Sequence, residues 1–473
     1  MDWIVLLPPV AAIGLAMWTR QVYLSLLFGI LIGTVLLADG DLLLGLQGLF
    51  EQLVAVFSDS GNTRVIIFCL LVGGLIALVQ VSGGVQGFIH WAQRKGWGRS
   101  RRGAELLAWG VGLVIFVESS ITSLTVGAVS RPLFDTLNLP REKLAYYCDA
   151  TSAPVCMMIP LNAWGAYVLG LLASQGITDG AVSLLVRALA FNFFSIGAIG
   201  FALALAVTGW SYGPMRSAER RARDRGELIR PGSHPLIAEE IADVKPVAGA
   251  PNHVRDLAIP IVVMVGMIFV GLFVTGRGNV MDGSGSTAVL WAVSAGVAAA
   301  TVQYAIPRGG RPILTIGESM DWILKGSSGL VGVTILVVLA FALGQVARAL
   351  EVGPYVVSLL GSGGSTWWLP SAVFLIGSFV SFTLGSSWTT FAIVLPVAMP
   401  LAEGMGISGP LMLGAVLSGG IFGDHTSPLS DTSIISSMSA ACDHVDHVNS
   451  QMPYALTVAG LSCAAFAIAG LVT

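Results

Sequence analysis

Apolar stretches long enough to cross a bilayer, roughly 20 residues each, recur about ten times along this chain. That recurrence leaves few folds open. In lipid every backbone N–H and C=O must be satisfied internally, so the expected class is an all-α polytopic membrane protein. Of the 473 residues, 55% are hydrophobic and only 11% charged, and the mean hydropathy is +0.81. Those values exclude an ordinary soluble enzyme. The net charge of -3 points to no partner. Cys69, Cys148, Cys156, Cys442 and Cys463 show no metal or redox spacing and read as small core residues.

Spans are expected at about 3–19, 22–38 and 64–89, a hairpin at 104–130, then spans at 144–174 and 182–209. The second half gives spans at about 256–275, 287–306 and 328–350, a hairpin at 367–402, then 409–440 and 453–472. The first run lacks a basic leader and continues through Arg20 into another apolar run, so it reads as a span rather than a cleaved signal. Lys and Arg set the orientation. With the amino terminus outside, Arg20, the cluster from Arg94 to Arg102, Arg131, Arg141, Lys143, the linker from Arg216 to Arg255, Arg308, Arg311 and Lys325 fall inside. That is 20 of the 24 basic residues, leaving Arg64, Arg187, Arg277 and Arg348 outside. The count holds only if 104–130 re-enters and leaves on one side. The stretch 211–252, with Arg220, Arg221, Arg223 and Arg225, reads as a solvated basic linker touching lipid headgroups.

The two halves repeat. Glu51 to Gly83 resembles Asp321 to Gly353 at an offset of 270, and Phe116 to Ser123 resembles Thr383 to Thr390 at 267. Asp149-Ala150-Thr151-Ser152-Ala153-Pro154 resembles Asp424-His425-Thr426-Ser427-Pro428 at 275. About five crossings per half would make the second half inverted relative to the first, a pattern of secondary transporters. The expected organisation is a first repeat at 1–209, a basic linker at 210–255 and a second repeat at 256–473.

The decade Gly423-Asp424-His425-Thr426-Ser427-Pro428-Leu429-Ser430-Asp431-Thr432 interrupts an apolar region. A Gly/Pro break at membrane depth must be buried in protein or line a wet cavity, and an ionisable residue there marks function. Glu118, Asp149, Asp424 and Asp431 are the four acids expected deep in the membrane. With no Lys or Arg expected beside them, each must be protonated or hold a cation. Burial disfavours the ionised form and a bound cation favours it, so one site can exchange protons for sodium. Asp424 and Asp149 are the first candidates, then Asp431 and Glu118. Ser119, Ser120, Thr122, Ser386, Ser387, Thr389 and Thr390 at the hairpin tips, with Thr426 and Ser427, offer the oxygen ligands that a hard cation takes. Sodium is placed at Asp149, Asp424, Ser119 and Ser386. His425 either tunes the site near neutral pH or is a polar helix residue. The run Asp443-His444-Val445-Asp446-His447 reads as a solvated helix end.

Gly-Asp-x-x-Ser-Pro-x-Ser-Asp-Thr at 423–432 resembles the NhaC-type sodium/proton antiporter family, and the Ser/Thr-rich hairpins resemble the wider ion transporter superfamily. Ser-Ser-Ile-Thr and Ser-Ser-Trp-Thr stand here in place of that superfamily's common Ser-Asn-Thr tip. The resemblance implies a homodimeric inner-membrane sodium/proton antiporter, working by alternating access without a cofactor. It also admits a sodium- or proton-coupled carrier of a small amino acid or organic acid. The missing Lys or Arg argues against a dicarboxylate, while Asp149 or Glu118 would suit an ammonium group. From other classes, a channel would show currents far above carrier rates, and an intramembrane aspartyl hydrolase on Asp149 and Asp424 would cleave a membrane substrate. No HExxH, GxSxG or phosphate-cradling motif supports an enzyme.

Overall fold

The computed structural model describes residues 3–19, 21–88, 100–116, 118–160, 162–178, 180–235, 246–247, 250–307, 311–352, 355, 358 and 366–472. Arg20, Arg94, Lys95, Arg99, Val117, Lys245, Arg308 and Gly353 from the expectations above lie outside them. The first half runs through α1 (Leu7–Thr19), α2 (Val22–Leu37), α3 (Leu42–Ser58), α4 (Ser60–Val81), α5 (Arg101–Val114) and α6 (Ser119–Thr136). It continues through α7 (Arg141–Ala150), α8 (Ala153–Met158), α9 (Ala163–Ser174), α10 (Ala181–Leu189) and α11 (Phe193–Thr208) to a linker helix, α12 (Gly213–Arg225). The second half comprises α13 (Arg255–Thr275), α14 (Gly285–Ala305), α15 (Ile316–Gly329), α16 (Val331–Ala349), α17 (Leu369–Leu384) and α18 (Ser387–Met405). It ends with α19 (Gly409–Thr426), α20 (Asp431–Ala440) and α21 (His444–Val472).

Polar residues mark the helix starts. The Asp41 carboxylate accepts from the Leu43 and Leu44 N–H groups, Asp59 caps α4, and Thr315 with Glu318 forms a capping box on α15. Among the described residues seven helical segments are long and apolar enough to cross a membrane, or eight if Arg141–Met158 and Ala163–Ser174, bent by 47°, form one span. The chain is thus a multi-pass membrane protein with fewer full-length spans than the expected ten. The difference has two sources. Apolar helices such as Tyr23–Leu37 and Leu369–Leu384 are short, and polar breaks divide the expected spans 144–174 and 409–440.

Both expected hairpins reverse direction, over longer ranges. Arg101 Nη2 donates to Asn138 O at 2.9 Å, so α5 and α6 meet at their open ends and run in opposite directions. In the other hairpin α17 runs parallel to α19, with Ser381 Oγ donating to Gly420 O at 2.6 Å and Ser427 Oγ to Phe382 O at 2.6 Å. α18 runs antiparallel to α19, because Ser387 meets Asp424 while Met399 lies by Gly409. Helices approach through small residues, as membrane helices do. A Cβ on Gly73 of α4 would lie 2.4 Å from Gly326 O of α15.

One end of the molecule corrects two expectations. Lys143 is not in a solvated loop: it is fully buried, with Nζ 2.8 Å from Glu105 Oε2 and 2.5 Å from Glu219 Oε1. Tyr147 OH donates to Glu105 and Ser211 Oγ to Glu219. Nor is the linker simply solvated. Arg221 pairs with Glu142 at 2.8 Å and Arg230 with Asp446 at 3.0 Å, while Tyr212 OH donates to Pro453 O at 3.0 Å. The amphipathic α12 is therefore docked on α7 and α21, with Arg220, Arg223 and Arg225 left exposed.

Candidate functional site

The two hairpin tips and the break between α19 and α20 surround a cavity of about 430 Å³. Each tip is shaped by the need to satisfy the free N–H groups that begin a helix. At α6 Glu118 takes that role, its Oε2 accepting from Ile121 N at 2.9 Å and its Oε1 from the Ser119 and Ser120 hydroxyls at 3.1 Å. At α18 Ser386 does so, accepting from Thr389 N at 3.3 Å. Gly385 turns that tip with φ +65, and a Cβ there would come within 2.7 Å of Leu429 backbone. That close approach holds the tip against the α19–α20 break.

Asp424 is 1% exposed and lies at the C-terminal turn of α19. Its Oδ2 accepts from Ser387 Oγ at 2.7 Å and its Oδ1 from Ser430 Oγ at 2.6 Å. Glu118, Ser119, Ser120, Ser386, Thr389, Asp424, Asp431 and Thr432 all line the cavity. The amino ends of α6, α18 and α20 therefore point toward one space and carry partial positive charge there. Among the described residues neither Lys nor Arg lines the cavity. The lining also includes apolar side chains, among them Cys69, Val72, Ile76, Leu336, Trp164 and Trp388, together with Gln21 and Tyr23. Trp388 lies 4.6 Å from Tyr167 and 5.2 Å from Trp164, centroid to centroid.

Asp149 is in a different environment. It is 1% exposed and absent from that cavity lining. Its Oδ2 accepts from Ser433 Oγ and Gln451 Nε2, both at 2.9 Å, and lies 3.3 Å from His447 Nε2 and 3.4 Å from His425 Nδ1. Two expectations are corrected here. Asp149 does not lack protein partners, since two imidazoles flank it. His447 is no solvated helix end but fully buried. Its neighbour His444 does sit nearer the surface, between Ser437 Oγ at 3.0 Å and Pro428 O at 2.9 Å. His447 and Gln451 are four residues apart and share a helix face, a spacing that is visible in the sequence.

The other candidates bond mainly to backbone. Thr122 donates to Ile115 O and Glu118 O, Thr390 to Ser386 O, and Thr426 to Phe422 O. Ser427 ties the break to Phe382 O. Of the four expected sodium ligands, Asp424, Ser119 and Ser386 share the cavity lining and Asp149 does not. Ser430 and Thr432 of the decade also join the site, and Ser433 and Gln451 do so without having been expected there. Among the described residues no three His, Cys, Asp or Glu side chains cluster as metal ligands. A cation would be held by carboxylates together with hydroxyls.

Comparison with known proteins gives a family, two relatives and one structural neighbour. The Na+/H+ antiporter family matches residues 155–471. An uncharacterized protein of Haemophilus influenzae is 33% identical over 485 residues, 98% of this chain and 90% of its own. The arginine/ornithine antiporter ArcD of Halobacterium salinarum is 39% identical over 97 residues, 20% of each chain. In structure, the YdaH transporter of Alcanivorax borkumensis superposes with a TM-score of 0.59 at 14% identity, covering 90% of this chain and 88% of that one, which shows a shared fold.

Proposed function

Because the chain belongs to the Na+/H+ antiporter family, whose members are transporters and not enzymes, we propose that it exchanges sodium for protons at the cavity between the hairpin tips. The observation that carries this reading is the convergence of Glu118, Asp424 and Asp431 with the Ser119, Ser386 and Thr389 hydroxyls on one cavity that, among the described residues, no Lys or Arg lines. A buried carboxylate there holds either a proton or a cation. Asp149, next to the cavity residue through His425, is the second exchange candidate.

Alternating access through two inverted repeats, 1–209 and 256–473 joined by the linker 210–255, fits this site. Each hairpin's first arm packs on its own broken helix: a Cβ on Gly112 would clash with Thr151, and Ser381 bonds Gly420 O, each pair 39 residues apart. Hairpins that re-enter the membrane, an elevator-like movement, a homodimer and a bacterial inner-membrane location complete the proposal.

The test is sodium-driven proton movement in proteoliposomes carrying an internal pH dye, with wild type beside Asp424→Asn and Asp149→Asn. A sodium-dependent pH change without organic solute, abolished in Asp424→Asn, is the expected result. A response that begins only when an amino acid or organic acid is added would replace sodium/proton exchange with coupled solute transport.

A further inference from the structure

The cavity is larger and more two-faced than a bare ion requires. Water occupies roughly 30 Å³ per molecule in the liquid, so about 430 Å³ exceeds a dehydrated cation and its first ligands several-fold. Its polar lining carries three acidic side chains, Glu118, Asp424 and Asp431, and among the described residues no Lys or Arg. The same lining carries carbon surface, from Val72, Ile76, Leu336 and two indoles, beside Gln21 and Tyr23. Sodium has no use for such a surface. A small ligand with a cationic head and an apolar body uses both, and pockets of this size and make-up are typical small-molecule sites.

The aromatic side is fixed in place. Tyr167 OH donates to Trp388 O at 2.9 Å, and its ring lies against the Trp388 indole with an interplanar angle of 36°. Trp164 is 2% exposed and packs on both Trp388 and Phe391. Trp388 follows Ser387, the donor to Asp424, by one residue at the start of α18. The hairpin tip that positions the carboxylate therefore also places the indole on the cavity. Aromatic faces attract ammonium and guanidinium groups, most strongly where water is excluded.

We infer that this cavity binds an organic monocation, an alkylammonium or alkylguanidinium with a short apolar body, with Trp388 setting the preference for it over sodium. The inference rests on the cavity being the transport site, as proposed above. Binding involves no covalent step. The ammonium exchanges water for the carboxylates while its alkyl chain covers the indole wall.

The experiment is isothermal titration of the purified full-length protein, in sodium-free potassium buffer, with n-butylammonium, n-butanol and n-butyrate. These probes share a body and differ in head charge. Sodium chloride is titrated in parallel. The expected result is n-butylammonium binding at least tenfold tighter than n-butanol, with n-butyrate weakest. Trp388→Leu should lower the ratio of n-butylammonium to sodium affinity at least tenfold, and Trp388→Phe should restore most of it. Equal binding of the ammonium and the alcohol would overturn the inference, as would an unchanged ratio in Trp388→Leu. Tighter binding of the carboxylate would overturn it in favour of an anionic cargo. Sodium binding without n-butylammonium binding sinks this inference and leaves the sodium reading. The reverse pattern sinks the sodium reading and leaves this one.

Discussion

Asp424 is held by two hydroxyls, and the shorter of those links, from Ser430, comes from its own broken segment. The other, from Ser387, comes from the tip of the adjacent hairpin of the same half. A hydrogen bond to a charged group contributes about 1.5–3 kcal/mol. Ser387→Ala should therefore weaken apparent sodium affinity by roughly tenfold or more, read from the sodium dependence of dye-reported proton movement. Ser427→Ala, which removes a bond to backbone rather than to the carboxylate, should change that affinity less.

At the level of elements, α17 and α19 depend on the absence of side chains between them. A Cβ on Gly423 would lie 2.3 Å from Ser378 O and 2.5 Å from Phe382 N. Gly423→Ala is expected to cost about 1–3 kcal/mol through overpacking, visible as a lower melting temperature in detergent. The turn into α21 gives a pH prediction. Burial works to raise the Asp443 carboxyl, but N–H groups of Asp446, His234 and Val445 donate to it and hold it below the usual carboxylate range. A depressed carboxylate contributes stability above its unfolded value of about 3.9, and that contribution is lost as the pH falls through the folded value. Segment 230–235 should thus resist proteolysis at pH 7 and lose protection in acid, and Asp443→Asn should show the loss already at pH 7.

These elements also show what the sequence can carry. Hairpins at Ser119-Ser120 and Ser386-Ser387 and a break at Ser427-Pro428 follow from local chemistry, since hydroxyls and Pro interrupt apolar runs. The pairing of Asp149 with His447 and Gln451 joins positions about three hundred residues apart, and no local pattern carries such a contact. Lys143 misled for the same reason. A lysine beside a span end is ordinarily solvated, and its burial depends on Glu105 and Glu219 arriving from two other elements.

For the whole molecule, that buried cation joins the first hairpin, α7 and the linker helix. Lys143→Met leaves two carboxylates buried without it, an imbalance worth about 3–5 kcal/mol. The variant should give little monodisperse protein on size-exclusion chromatography. Changing Glu105, Lys143 and Glu219 together to Gln, Met and Gln should restore most of the yield, because no uncompensated charge remains.

The linker's docking has a consequence for the covalent chain itself. Residues 211–235 grip α7 through Lys143 and Glu142, and α21 through Asp446 and Pro453. The peptide bond joining the halves is then mechanically redundant. A gene split between Leu236 and Lys245 should yield two polypeptides that co-purify and match the intact chain in transport assays, and fragments that separate on a tag column would show that the chain, not the clamp, holds the halves in register.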